Sequence, residues 1–122
     1  MALDERLAYV IEAARSKKAG HIRLLDVRGI ASFADTFAFM SGSSDRQNRA
    51  IAEAIFEALK KHGERPISQE GDKVGAWILM DYGDLIVHVM DENTRHHYKL
   101  EELWKDGREL ELPDESQFLN QN

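Results

Sequence analysis

Cysteine is absent from the 122 residues, which removes disulfides, thiolate metal sites and a cysteine nucleophile, and fits a reducing compartment. Long apolar runs are missing as well. No stretch approaches the ~20 residues of a membrane span, and the opening Met1-Ala2-Leu3-Asp4-Glu5-Arg6 lacks the basic-then-apolar order of a secretory signal. A soluble, cytoplasmic protein is therefore expected. Positive charge is in deficit, with 16 Lys and Arg against 22 Asp and Glu and a formal charge of −6. That balance disfavours a broad nucleic-acid or membrane surface and favours a basic protein partner. No internal repeat, low-complexity tract or domain-length linker interrupts the chain, whose length suits one domain.

The familiar signatures of catalysis are also scarce. There is no Gly-x-Ser-x-Gly elbow, Walker loop or dinucleotide fingerprint. The five histidines, His21, His62, His88, His96 and His97, have no spacing that aims two imidazoles at one metal, so no metal or other cofactor is expected. Gly42-Ser43 ahead of a helix invites a nucleotidyltransferase reading, because helix-entry amides hold phosphates and paired strand carboxylates hold Mg²⁺. The carboxylate pair is lacking: two positions after Asp84 stands Ile86.

What is present is a sequence of short amphipathic segments. Leu3, Leu7, Val10, Ile11 and Ala14 recur at helical spacing, with Arg6 among the polar positions and Gly20 as a stop, giving a helix over residues 3–18. Ile22-Arg23-Leu24-Leu25-Asp26-Val27 and Thr36-Phe37-Ala38-Phe39-Met40 read as strands, the second apolar on both faces; the connection between them is less readable. Ser44 and Gln47 form a capping-box pattern ahead of the Ile51, Ile55, Ala58 and Leu59 stripe, giving a helix over 45–62. Pro66 forbids its continuation, and Ile67-Ser68-Gln69 is a candidate short strand. After Met90, Asp91 caps a helix that includes Arg95 and Tyr98 and continues through Leu100, Leu103 and Trp104 to Gly107. The order predicts an α/β fold, a single layer of mixed sheet with about five strands flanked by helices over 1–107. An acidic, polar, flexible tail without a core face is expected over 108–122, although Phe118-Leu119 could dock.

The centre of this plan is the hairpin of residues 76–90. With Tyr82-Gly83 at its tip, counting outward pairs Asp81 with Asp84, Met80 with Leu85, Ile78 with Val87 and Trp77 with His88. One face then carries Ala76, Ile78, Met80, Leu85, Val87 and Val89; the other carries Trp77, Leu79, Ile86, His88 and Met90. The second face is either covered by a helix or is a binding surface anchored by Trp77 and extended by Tyr82.

Several separated blocks together resemble the ribosomal silencing factor family, also called Iojap. They are Asp26-Val27-Arg28-Gly29, Ala34-Asp35 through Ser41-Gly42-Ser43-Ser44-Asp45-Arg46-Gln47, Glu70-Gly71, Trp77, residues 81–90, and Arg95-x-x-Tyr98-x-Leu100-Glu101-x-Leu103-Trp104. The resemblance covers residues 3–106; Met90, where other members can carry an aromatic, is a mild departure. It implies a protein that is not an enzyme. Family members bind the large ribosomal subunit through its ribosomal protein fourteen, block joining of the small subunit and lower translation when nutrients run short. It also implies a nucleotidyltransferase-like fold without catalytic carboxylates. The family's contact surface carries over onto Trp77, Leu79, Tyr82, Asp84 and His88, with Asp81 and Gly83 shaping the turn and Arg95 and Tyr98 interfacial or structural. A nucleotide-binding enzyme and a homodimerisation module are the alternatives to this reading.

Overall fold

The computed structural model describes residues 3–99, 102 and 105–112. In chain order the elements are α1 (Leu3–Ser16), β1 (Gly20–Asp26), β2 (Thr36–Gly42), α2 (Asp45–Lys60), β3 (Ser68–Glu70), β4 (Trp77–Asp81), β5 (Leu85–Asp91), α3 (Glu92–Tyr98) and β6 (Arg108–Leu110). The strands form one open mixed sheet of six, in the order β3-β4-β5-β2-β1-β6. Among the described strands, β2 and β5 run parallel, with α2 in the connection between them, and the other four strand pairs are antiparallel.

Local chemistry explains the boundaries. The Ser44 hydroxyl accepts from the Gln47 backbone N–H at 3.1 Å, capping α2, but Gln47 reaches back to the N–H of Ser43 (2.6 Å) rather than to that of the cap itself. Asp91 caps α3 by accepting from the Thr94 N–H at 2.7 Å. Lys99, left-handed at φ 49°, ends α3 just after Tyr98. The helix expected to run on to Gly107 is therefore interrupted here; Leu100, Leu103 and Trp104 lie outside the described residues.

Two apolar layers flank the sheet. On one side Leu7, Val10, Ile11 and Ala14 of α1 and Ile51, Ala52, Ile55 and Leu59 of α2 pack with Leu24, Ala38, Met40, Ile78, Met80, Val87 and Val89 from the strands. On the other, Leu25, Phe37, Phe39, Ile86 and Met90 meet Val27, Ala31 and Ala34 from the β1–β2 connection. That connection is a compact structure closed on itself. Val27 donates to the Asp35 carbonyl and accepts from the N–H groups of Ile30 and Ala31. Asp26 anchors it by accepting from the backbone and guanidinium of Arg28, which holds the carboxyl well below its usual range.

Three expectations are corrected. The sheet has six strands rather than about five, because residues 108–110, assigned to a coreless tail, pair with β1 and bring Arg108 within 3.3 Å of Asp26. Phe118 and Leu119 lie outside the described residues. The hairpin register is Asp81 with Ile86, Met80 with Val87, Leu79 with His88, Ile78 with Val89 and Trp77 with Met90. The loop is Gly83-Asp84, closed by the Tyr82 N–H on the Leu85 carbonyl at 2.8 Å. This differs from the expected pairing by two residues, so side chains keep their faces, whereas a slip of one would have exchanged them. Finally, Arg6, expected among solvent-facing positions of α1, is buried.

Candidate functional site

The hairpin turn is built by two residues. Asp81 Oδ1 accepts from the Gly83 N–H at 2.8 Å, and Gly83 adopts φ +91°, a value that L side chains rarely tolerate. A second glycine sets the approach of the β3–β4 loop: at Gly71, φ +91°, an added Cβ would lie 1.9 Å from the Trp77 carbonyl oxygen. Glu70 and Gly71 with Trp77 and Leu79 line a depression of about 300 Å³ on the outer part of the hairpin.

The sequence groups Trp77, Leu79, Tyr82, Asp84 and His88, and the structure divides them. Trp77 and Leu79 are half-buried at the margin of the layer opposite α1 and α2. His88, 6 % exposed, lies inside that layer. Its ring stacks on Phe39 (centroids 4.9 Å, planes at 12°) and meets Phe37 edge-on at 5.4 Å. The Trp77 indole N–H donates to His88 Nδ1 at 3.2 Å. Burial lowers the imidazole pKa to about 4, so the ring is neutral at pH 7 and Nε2 carries its proton. Nε2 has no hydrogen-bond partner among the described residues.

Tyr82 corrects the expectation that it extends the Trp77 surface. Its ring, 7 % exposed, joins the aliphatic layer under the helices. Burial, with Glu64 nearby, raises its hydroxyl pKa to about 12. Asp84 sits at the hairpin tip with its carboxylate paired to Arg6 of α1, which lowers its pKa, and its carbonyl accepts from Asp35 and Thr36. Arg95 is buried and donates to Ser41 Oγ at 2.9 Å, pinning α3 to β2. Tyr98, 55 % exposed, lies with its ring 5.3 Å from that of Trp77.

These rings form a row. Phe33, Phe37, His88, Trp77 and Tyr98 follow one another at centroid spacings of 5.9, 5.4, 6.0 and 5.3 Å. The middle is covered, and both ends emerge, Phe33 being 58 % exposed. Sequence reasoning missed Phe33 because the β1–β2 connection shows no period; its one signal was a large aromatic in a segment with neither strand nor helix pattern.

The helix-entry amides that suggested a phosphate site are occupied by the protein itself. The Gly42 N–H donates to Asn48 Oδ1 at 2.9 Å, and that of Ser43 to Gln47 Oε1. Asn48, wholly buried, donates in turn to the Gly75 carbonyl. Among the described residues, no group of three or more His, Asp or Glu could hold a metal ion, and no helix is long and apolar enough to cross a membrane.

Comparison with known proteins gives concordant results. A family model described as ribosomal silencing factor during starvation matches residues 2–122. The chain is 35% identical over 112 residues to a ribosomal silencing factor of Halalkalibacterium halodurans, spanning 92% of this chain and 96% of that protein. It is 39% identical over 95 residues to the one of Bacillus subtilis, spanning 78% and 80%. A crystal structure of a Chromobacterium violaceum protein superposes with a TM-score of 0.83 at 33% identity, covering 92% of each chain.

Proposed function

The chain belongs to the ribosomal silencing factor family, and from that premise we propose that it binds the large ribosomal subunit through ribosomal protein fourteen of that subunit. There it would cover the face where the small subunit docks, prevent joining and repress translation in the cytoplasm under nutrient limitation. The observation that carries this reading to particular residues is the Trp77, Leu79 and Tyr98 patch, where half-buried Trp77 and Leu79 of β4 adjoin exposed Tyr98 at the end of α3. Trp and Tyr are favoured anchors because each buries a large area with few rotatable bonds.

The mechanism needs occupancy and bulk rather than catalysis. An interface of ~1,200–2,000 Å² suffices to hold a protein of this size, and steric overlap then excludes a much larger partner. The internal hydrogen bonds of the Gly42 and Ser43 amides favour this over a nucleotide-binding enzyme.

The test is co-sedimentation of the purified protein with separated large subunits, small subunits and joined ribosomes, repeated with Trp77→Ala. Selective binding to large subunits, lost in a folded variant, is the expected result. Absence of binding to every particle would remove the reading. Concentration-dependent sedimentation of the protein alone, weakened by the same substitution, would instead assign the patch to homodimerisation.

A further inference from the structure

The His88 imidazole is an unusual occupant for its position. Wedged between Phe37 and Phe39 in an apolar layer, it could be replaced by phenylalanine without loss of stacking, and without an N–H that finds no partner among the described residues. The feature phenylalanine could not supply is an acceptor at Nδ1, which receives the Trp77 indole N–H. Trp77 and His88 are diagonal neighbours across the hairpin, since Leu79 is the residue directly opposite His88, and long side chains reach along that diagonal.

We infer that His88 is a positioning residue: it holds the Trp77 indole in its docking orientation by accepting its N–H, and does not itself touch the partner. This rests on the proposed function for what Trp77 docks against. The imidazole is covered, so a partner meets the indole and not the ring behind it. Its flanking phenyl rings fix the direction of Nδ1, and burial keeps that nitrogen unprotonated at neutral pH. An indole has two rotatable bonds and one polar atom. Securing that atom at a fixed acceptor sets which edge of the ring faces outward, and pre-orders the anchor before binding. Tyr98, 5.3 Å away, bounds the indole as a second ring neighbour.

A double-mutant cycle separates positioning from direct contact. His88→Phe is expected to weaken binding to purified large subunits about fivefold, yet to add less than twofold in a Trp77→Phe background. Independent, additive losses, or no loss from His88→Phe, would overturn the inference. A second readout needs no ribosome: the Trp77 indole N–H, identified by its disappearance from the ¹H–¹⁵N spectrum of Trp77→Phe. In His88→Phe this resonance is expected to shift and its hydrogen exchange to quicken. In His88→Asn, whose amide oxygen can stand near the site of Nδ1, protection is expected to return in part. An indole unchanged in folded His88→Phe would sink the proposal even if binding were weakened. Failure of the wild-type protein to bind any ribosomal particle would remove the proposed function instead, leaving the indole measurement to decide the hydrogen bond.

Discussion

Ile78, Met80, Val87 and Val89 face α1 and α2, while Trp77, Leu79, Ile86 and His88 from the same two strands face the opposite way. The first set meets two amphipathic helices and is fully buried, aliphatic and thioether throughout. The second meets a short loop and a seven-residue helix, which cover its middle and leave Trp77, Leu79, Phe33 and Tyr98 at the margins. Two faces of one sheet thus differ: the helix side is a closed aliphatic core, and the loop side combines a smaller core with half-buried Trp77 and Leu79 at its margin, the surface proposed above for docking.

Truncation under the helices should give the largest effect on this comparison. Ile55→Ala, at a fully buried position of α2, is expected to lose about 2–5 kcal/mol of unfolding free energy in urea. Binding per folded molecule should stay unchanged. Trp77→Ala should do the reverse, costing on the order of 2 kcal/mol or more in binding, about thirtyfold, with a smaller change in thermal stability. A large stability loss with unchanged binding would return Trp77 to the core.

The buried imidazole ties the loop side to pH. Its folded pKa, about 4, lies below the ordinary 6.5, so the unfolded chain takes up the proton first. Stability from this group is fully present above pH 6.5 and declines as pH falls, being lost by pH 4. Between pH 7.5 and 5 the loss should be on the order of 2 kcal/mol. Urea titrations at the two values measure it, and His88→Phe should flatten that slope. The smallest effect belongs to the hairpin tip. Asp84, 44 % exposed, is paired with buried Arg6, and solvent screening limits that pair. Asp84→Asn is expected to cost roughly 1 kcal/mol or less, and a greater loss in binding than in stability would assign its exposed oxygen to the partner.

Much of this division was legible in the chain. The alternation through residues 76–90 sorts the two faces correctly even though the pairing register differs by two, because parity alone decides the face. The α2 stripe and its Ser44 cap were readable for the same reason: periodicity and capping are local. The β1–β2 connection was not, since its apolar residues follow no period and one of its closing hydrogen bonds, from the Asp35 N–H to the Asp84 carbonyl, reaches across the fold. The cover of the second face was therefore hidden. β6 escaped for a related reason: three residues pairing with a strand more than eighty positions earlier leave no local trace.

The sequence by itself determined α1 and α2, the start of α3, the main strands, the two-faced hairpin and, through its separated blocks, the family. Each is encoded in neighbours along the chain. Only the tertiary structure decided that Tyr82 turns inward, that Arg6 meets Asp84 across the fold, that Phe33 joins the row of rings, and that His88 lies behind Trp77 rather than beside it. Those outcomes depend on which side chain closes which gap between elements distant in sequence, and no local pattern records that choice.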